Sequence, residues 1–313
     1  MGVDLSVVIP AYNEEENVVP LYNELHEVLP ALGMTYEILF VDDGSTDRTY
    51  QRLKELHDLD NTVRIVKFRS NFGQSAAMKA GLDYAAGDRI VTMDADLQND
   101  PYDIPALLRK MDDDELDVVC GWRYNRHDPA SKKFFSKGAN HLRKIFTQET
   151  IHDSGCTLRA YRRECTRDLE LYGELHRYIP AMLLWKGYHV GEMKTNHRDR
   201  SFGKSKYNWG RLFKGFLDLQ VITFWQRYSV RPMHVFGGAG IVLGTLGLII
   251  TGYLIIMRLF FGFGLLERPL FLAGMILLIL GVQFVAIGIL ADILLKIYYG
   301  QNQRKNYLLE KIV

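Results

Sequence analysis

Cysteine is scarce in this sequence, with Cys120, Cys156 and Cys165 the three among 313 residues. Their number is odd and their spacings match no metal-ligating pattern, so we expect buried, reduced thiols rather than disulfides or a zinc site. An excess of charge of one sign is also lacking, because 38 lysines and arginines nearly balance 37 aspartates and glutamates. The resulting net charge of +1 gives no indication of a nucleic-acid partner.

Glycine-rich phosphate loops are missing after the first predicted strand, residues 5–10. Neither GxGxxG nor GxxxxGK[ST] follows that strand. Their absence counts against a dinucleotide-dependent dehydrogenase and a P-loop NTPase. We also expect no cleavable signal, since MGVDLSVVIP passes directly into a strand-like run.

Charged residues are entirely absent from residues 235–257, and a second apolar run covers residues 270–295. At about 1.5 Å per residue, each run is long enough as a helix to cross a hydrocarbon core. The linker is short, so we predict a transmembrane hairpin, with two helices buried in a soluble core as the alternative. Gly274, Gly281 and Gly288 recur every seven residues, which predicts a face for close helix packing.

Basic residues lie mostly outside the linker of this predicted hairpin. Arg227 and Arg231 precede the hairpin, and Lys296, Arg304 and Lys305 follow it. This bias predicts that the N-terminal domain and the C-terminal tail are cytoplasmic. The predicted organisation is a cytoplasmic domain over 1–206, a juxtamembrane interfacial helix region over 207–231, two transmembrane helices within 232–300 and a cytoplasmic tail over 301–313.

Strand-like and helix-like patterns alternate through the N-terminal domain. Predicted strands cover residues 5–10, 36–41, 63–68, 89–93 and 117–120, and the stretches between the first four have helical spacing. Alternation with short connections predicts an α/β fold with a mostly parallel, doubly wound sheet. Ligands of such sheets bind at the carboxyl ends of the strands.

Acidic and polar residues follow three of the predicted strands, as PAYNEEEN, DDGSTD and DADLQ. Asp94 and Asp96, on alternate positions after an apolar run, would place two carboxylates on one face. Their repulsion is unfavourable unless a cation lies between them, although a solvated turn that caps a helix is the alternative. Three such strand ends together favour a site for a polar ligand and a metal.

Four stretches in fixed order carry a family resemblance: VVIPAYNEEENV, ILFVDDGSTDRT, SNFGQSAAMKAGLDYAAGD and MDADLQNDP. Together they resemble the inverting GT-A glycosyltransferases of family 2. Within that family the chain is similar to the polyprenyl-phosphate branch, which includes dolichyl-phosphate mannosyltransferases and bacterial undecaprenyl-phosphate glycosyltransferases. The resemblance covers about residues 5–209, and several branch members share the two-helix hairpin. It implies a GT-A (Rossmann-like) fold and a metal-dependent hexosyltransferase.

The resemblance also implies roles for individual residues near the predicted strand ends. Asp94, Ala95 and Asp96 match the family's DxD motif, which with Gln98 would hold Mg²⁺ or Mn²⁺ against the donor diphosphate. The positions that match the family's contacts to the donor base and ribose are Pro10, Tyr12, Glu14, Val41 and Asp43.

Cations at two places match the phosphate contacts of the family. Arg123 in GWRYNR would contact donor or acceptor phosphate, and Arg200 and Lys206 match the R-x-x-G-x-S-K loop. The segment HDSGCTLRAYRRE resembles the acceptor side, where some relatives have an acidic residue in place of Cys156. Asp153 is the nearest carboxylate to that position, so it is the candidate base and the assignment stays open.

Two further stretches are predicted to meet the membrane. Lys132, Lys133 and Lys137 belong to a basic, aromatic-rich stretch and are candidates for the acceptor side, with a solvated basic face as the alternative. Residues 207–228 have the pattern of an amphipathic interfacial helix, with core packing as the alternative.

The predicted function is inverting transfer of one sugar, with UDP-glucose as the first donor, to a polyprenyl phosphate on the cytoplasmic membrane face. The processive motif QxxRW is absent, which favours single-sugar transfer. The alternatives are a GDP-mannose-dependent dolichyl-phosphate mannosyltransferase, transfer to another lipid such as diacylglycerol, and a non-enzymatic membrane scaffold. Predicted partners are the nucleotide sugar, polyprenyl phosphate and membrane lipid, without nucleic acid, and a homo-oligomer is compatible with this interpretation.

Overall fold

A computed structural model describes residues 2–124, 151–167, 169–171, 173–198, 232–262, 264 and 269–301. The chain divides into two compact units, Met1–Leu219 and Gln220–Val313. The first unit contains a layered α/β domain, and the second contains two long apolar helices.

Strands and helices alternate through most of the first unit. Its described strands are β1 Val3–Ala11, β2 Tyr36–Asp42, β3 Val63–Lys67, β4 Gly87–Thr92, β5 Val118–Arg123, β6 Arg159–Arg162 and β7 Val190–Thr195. Its described helices are α1 Val18–Val28, α2 Thr49–Leu59, α3 Gln74–Tyr84, α4 Ile104–Asp113, α5 Arg163–Thr166 and α6 Ile179–Trp185. Short 3₁₀ turns cover Pro30–Leu32, Pro101–Asp103 and Leu175–Tyr178.

The seven described strands form one sheet in the order β3-β2-β1-β4-β6-β5-β7. β1 pairs in parallel with β2 and β4, β2 with β3, and β5 with β7, whereas β6 is antiparallel to both its neighbours. The predicted mostly parallel sheet is therefore confirmed. Because β6 runs in the opposite direction, its first residue, Arg159, lies beside Thr92 of β4 and Cys120 of β5.

Apolar spacing predicts a helix from Glu14 to Leu32, with Val18, Leu21, Leu25, Val28 and Leu29 on its inner face. Its apolar residues do point into the core, but α1 begins only at Val18. The first four buried positions of the pattern, Val18, Leu21, Leu25 and Val28, all lie within α1. Before them a turn closes where the side-chain amide of Asn17 donates to the Glu14 carboxylate at 2.5 Å. This local hydrogen bond competes with the helix, as short polar side chains do near helix starts.

Close packing between helix and sheet depends on small residues in α3. A Cβ atom added at Gly81 would lie 2.1 Å from a methyl carbon of Val8 in β1. The three cysteines, Cys120, Cys156 and Cys165, are buried free thiols, which confirms the prediction.

The second unit contains α7, Pro232–Phe261, and α8, Pro269–Gln301, which pack against each other. Both are long and apolar enough to cross a membrane, and many of their large apolar side chains are exposed. The predicted glycine face lies at their contact, since a Cβ at Gly281 would lie 2.7 Å from the backbone of Gly244. These features fit a membrane hairpin better than a soluble core, where such side chains would be buried.

Adding one methyl group at this contact tests the packing directly. We expect Gly281→Ala to destabilise the hairpin by about 1–3 kcal/mol, because the new Cβ meets backbone that cannot move aside alone. Gly252→Ala is the matched control, since a Cβ there meets nothing within 4 Å. Hydrogen exchange of hairpin peptides in detergent should accelerate in the first variant only, and equal exchange in both would contradict the described packing.

Candidate active site

The ends of three neighbouring parallel strands meet at one edge of the sheet. Ala11 at the end of β1 pairs with Asp42 at the end of β2. Val8 pairs with Thr92 of β4 on the other side of β1. The residues that follow these strands, among them Tyr12 and Asp94, therefore lie along a single edge, where ligands of parallel sheets bind.

The acidic motif after β4 forms a tight turn that other residues hold in shape. Leu97 has φ of +61°, which is strained for a branched side chain, and the Gln98 N–H donates to Asp96 Oδ1 at 3.2 Å. The Asp94 N–H donates to Asn99 Oδ1 at 3.1 Å, and the Thr157 hydroxyl donates to the same oxygen at 3.0 Å. The turn is thus fixed both by Asn99, which follows it, and by the segment before β6.

Negative charge is concentrated at Asp94 and Asp96. Burial and the neighbouring Asp96 raise the pKa of Asp94 to about 6, against the opposing effect of Arg123 and Arg159. The raised pKa indicates that the two carboxylates repel each other in the protein without a ligand. A cation between them would relieve this repulsion and displace the proton.

The start of α3 contacts groups from two of these strand ends. Asp43, after β2, accepts from the N–H groups of Phe72 at 2.7 Å and Gly73 at 2.9 Å. Burial raises the pKa of Asp43, which these two hydrogen bonds oppose. The side-chain amide of Gln74 donates to Asp94 Oδ1 at 2.8 Å. The start of α3, together with the two residues before it, therefore orients the carboxylate that follows β2 and one that follows β4.

Arg123 and Asp153 form a bidentate ion pair at the end of β5. Arg123 Nε lies 2.6 Å from Asp153 Oδ2, and Nη2 lies 2.9 Å from Oδ1. Although burial acts in the opposite direction, the carboxylate raises the pKa of the Arg123 guanidinium. A carboxylate held in such a pair is a weak base, because the adjacent cation stabilises its ionised form. The geometry suits orientation of the arginine better than proton abstraction by Asp153.

The backbone after β7 is attached to the acidic turn through Arg198. Its N–H donates to the Gln98 carbonyl at 3.0 Å. Its guanidinium contacts both carboxylate oxygens of Glu24 at 2.8 Å and Asp100 Oδ1 at 2.7 Å. The residues that lead towards Arg200 are thereby tied to the loop that contains Asp96.

The other predicted site residues are distributed unevenly. Pro10, Val41 and Ala95 are buried in or beside the central strands, while Tyr12, Glu14 and Gln98 are half-buried at the sheet edge. The predicted residues that lie outside the described part of the chain are Arg200, Lys206, Lys132, Lys133 and Lys137.

Several residues that shape this edge had no predicted role. They are Gln74, Ser75, Asn99, Thr157, Arg159, His176 and Arg198. Gln74 and Ser75 lie in SNFGQSAAMKAGLDYAAGD, one of the four stretches that carry the family resemblance, so the sequence did point to them. Asn99 likewise stands in MDADLQNDP, and Thr157 and Arg159 stand in HDSGCTLRAYRRE. His176 and Arg198 become neighbours of the site only through the fold, and their positions along the chain give no sign of it.

Two carboxylates are too few to form a complete metal site of their own. Within the described residues, no group of three or more His, Cys, Asp or Glu side chains is arranged to hold a metal ion. Mg²⁺ is commonly bound through one or two carboxylates together with substrate phosphates. The two carboxylates of Asp94 and Asp96 therefore fit a cation whose remaining ligands come from bound phosphate groups and water.

Comparison with known proteins gives a consistent result over nearly the whole chain. The family model of glycosyl transferase family 2 matches residues 6–169. The dodecaprenyl-phosphate galacturonate synthase of Rhizobium johnstonii is 39% identical over 314 residues, covering 99% of this chain and 93% of that protein. The undecaprenyl-phosphate 4-deoxy-4-formamido-L-arabinose transferase of Proteus mirabilis is 33% identical over 311 residues, covering 99% and 94%.

The fold also resembles solved structures. Glucosyl-3-phosphoglycerate synthase from Mycobacterium tuberculosis, in complex with Mn²⁺, uridine diphosphate and phosphoglyceric acid, superposes with a TM-score of 0.51 at 20% identity. The match covers 72% of this chain and 78% of the other. It confirms the predicted GT-A fold.

Proposed function

Because this chain belongs to glycosyl transferase family 2, we propose that it transfers a single sugar from a nucleotide-sugar donor to a polyprenyl phosphate. The observation that carries the proposal is the placement of the Asp94–Asp96 pair and Arg123 on one sheet edge. Both the donor diphosphate and the acceptor phosphate are anionic, and this edge offers a cation site and a guanidinium. Relatives that span 99% of the chain have names that specify polyprenyl-phosphate acceptors, which supports the same choice.

The donor would bind across the ends of β1, β2 and β4. Tyr12 offers a face on which a base can stack, and Glu14 offers a carboxylate for base or ribose donors. Asp43 already accepts two backbone hydrogen bonds, so its effect on the nucleoside would come largely through the position of α3. Arg200 and Lys206 stay predicted contacts to the diphosphate.

A divalent cation, Mg²⁺ or Mn²⁺, would supply charge neutralisation for the departing nucleoside diphosphate. Asp94 and Asp96 would hold it, with Gln74 orienting the Asp94 carboxylate through its amide. Gln98 stays a predicted ligand, and its N–H already fixes Asp96. We expect the cation to bind tightly only with nucleotide present, because the protein contributes few ligands.

The acceptor requires little base catalysis. A phosphomonoester has a second pKa of about 6, so it is largely dianionic at neutral pH and already nucleophilic. Arg123, oriented by Asp153, would hold this phosphate for in-line attack at the anomeric carbon, which inverts its configuration. Asp153 would then act as the partner of Arg123 rather than as a proton acceptor.

The sugar is a finer question than the reaction class. UDP-glucose stays the first prediction and GDP-mannose the second. The two relatives transfer other sugars according to their names, a galacturonate and a 4-deoxy-4-formamido-L-arabinose. A donor panel should therefore include nucleotide-linked forms of both. Catalysis on the cytoplasmic face is likewise part of the proposal, supported by the basic residues that flank the hairpin.

The decisive experiment is product formation by purified protein in detergent with Mn²⁺, a polyprenyl phosphate and the labelled donor panel. One sugar in the lipid extract, with a single residue per lipid, is the expected result. If product forms with diacylglycerol and none forms with polyprenyl phosphate, the acceptor assignment is overturned. Nucleotide binding without any lipid product would overturn it as well, and absence of binding would favour a scaffold.

Arg198 provides a milder test of the proposed donor site. We expect Arg198→Met to raise the donor KM by about threefold to tenfold, because the side-chain contact to Asp100 is lost and only the backbone hydrogen bond to Gln98 still ties the acidic turn to the chain before Arg200. The effect is limited because the Arg198 side chain is 35% exposed. Arg52→Met removes a comparable exposed ion pair, with Glu55, and should leave steady-state kinetics unchanged. Equal donor KM values in the two variants would contradict this role.

A further inference from the structure

A buried arginine lies behind the candidate site without a carboxylate partner. Arg159 is 2% exposed at the start of β6. Its guanidinium donates to the Ser154 carbonyl at 2.5 Å, to the His176 carbonyl at 3.0 Å and to the Tyr161 hydroxyl at 3.5 Å. In the described part of the chain these partners are all neutral, and Nε is buried without a hydrogen bond. Such a charge is costly to bury, so a purely structural role is a poor explanation.

The two carbonyl groups belong to segments that support opposite sides of the site. Ser154 directly follows Asp153, the partner of Arg123. The ring of His176 lies 2.8 Å from the Ser75 hydroxyl, and the His176 N–H donates to the same oxygen at 3.2 Å. Ser75 is adjacent to Gln74, which contacts Asp94. Arg159 thus connects the Arg123–Asp153 pair with the support of the acidic motif.

The charge of Arg159 also reaches the reacting edge. Its backbone pairs with Thr92 of β4, two residues before Asp94, so its field acts close to the acidic motif. Because water is excluded around the guanidinium, this field is screened less than that of a surface lysine. The side chain itself is sealed from solvent, so any effect on a ligand passes through position and field rather than through contact.

We propose that Arg159 is a positioning residue for the acceptor side of the transfer reaction, holding Ser154 and His176 so that Arg123 faces the acceptor phosphate beside the acidic motif. The inference rests on the proposed function and adds a residue that contacts neither substrate. It predicts a larger effect on the acceptor than on the donor. Arg123 can reach its position only when the segment after Asp153 is held, whereas the donor edge keeps its own contacts through Gln74 and Asn99.

The test compares Arg159→Met, Arg159→Lys and the matched control Arg163→Met. Arg163 is half-buried and also donates to a backbone carbonyl, that of Ala86 at 2.9 Å, but it lies towards the far edge of the sheet. Steady-state transfer gives the KM of each substrate, and titration with nucleoside diphosphate and Mn²⁺ gives donor affinity. We expect Arg159→Met to raise the acceptor KM about tenfold or more, with a smaller loss of donor affinity.

Arg159→Lys keeps the charge and can reach one of the two carbonyl groups, so it should recover about half of this loss on a logarithmic scale. A merely structural role would lower the active fraction and hence kcat, and would leave both KM values as in the wild type. That result, or equal acceptor KM values in Arg159→Met and Arg163→Met, would overturn the inference. If the methionine variant does not fold, an unchanged acceptor KM in Arg159→Lys overturns it. An inactive wild type would instead remove the proposed function, and this inference with it.

Discussion

Asp96→Asn is expected to reduce sugar transfer about a hundredfold to a thousandfold while leaving the protein folded. Asp96 is nearly fully buried at the sheet edge, where it opposes Asp94. An amide in its place keeps the shape and can still accept from the Gln98 N–H, but it removes the charge that a divalent cation needs. The loss should appear mainly as a higher Mn²⁺ requirement and a lower kcat, because charge neutralisation on the leaving diphosphate weakens.

Lipid-product formation across a range of Mn²⁺ concentrations measures both quantities. Asp83→Asn is a suitable control, since Asp83 lies on the exposed face of α3 in an ion pair with Lys79. Thermal unfolding should show that Asp96→Asn is at least as stable as the wild type without metal, because one of two repelling carboxylates is gone. Full activity in this variant would refute the assignment of the acidic pair to the cation.

The second large effect is expected at the Arg123–Asp153 pair, where the two partners should not be equivalent. Arg123→Met removes the guanidinium proposed to hold the acceptor phosphate and should lower kcat/KM by about a hundredfold. Asp153→Asn leaves an amide oxygen that can still accept one hydrogen bond from Arg123. We therefore expect a loss of only about tenfold, the cost of a less well oriented arginine.

This comparison separates orientation from base catalysis. A general base would make Asp153→Asn the more damaging change and would give kcat a pH dependence that the variant loses. Orientation predicts the reverse order, with the pH profile of Asp153→Asn parallel to that of the wild type. Arg123→Lys should recover part of the activity, since a lysine supplies the charge without the bidentate geometry.

The sequence indicated the strands that matter most for the site, for a simple physical reason. β1, β2 and β4 are short runs of apolar, β-rich residues, and each ends in polar groups that a buried strand cannot contain. In a parallel sheet their carboxyl ends meet at one edge, so the proximity of Tyr12, Asp43 and Asp94 could be predicted from the sequence. The start of α1 could not be predicted, because the Asn17–Glu14 hydrogen bond depends on side-chain geometry rather than on apolar spacing.

β6 and the buried arginine at its start could not be predicted from the local sequence. β6 has four residues, RAYR, and the arginines at both ends conceal a strand whose first three residues are buried. Arg159 is buried because it donates to the carbonyl groups of Ser154 and of His176, which lies in a separate segment, and the pattern of β6 does not encode this. The same holds for Arg198, whose partners Glu24 and Asp100 are far away along the chain. Residues that support a site, unlike those that form it, are recognised only after the chain has folded.

The Arg123–Asp153 pair has a consequence for how this enzyme family can diversify. It brings the chain on either side of residues 125–150 within ion-pair distance, so the two points at which that stretch joins the domain are fixed. Exchanging residues 125–150 between relatives should therefore leave the geometry of the two junctions intact. Chimaeras joined at Tyr124 and Ile151 would test whether this stretch determines the acceptor preference.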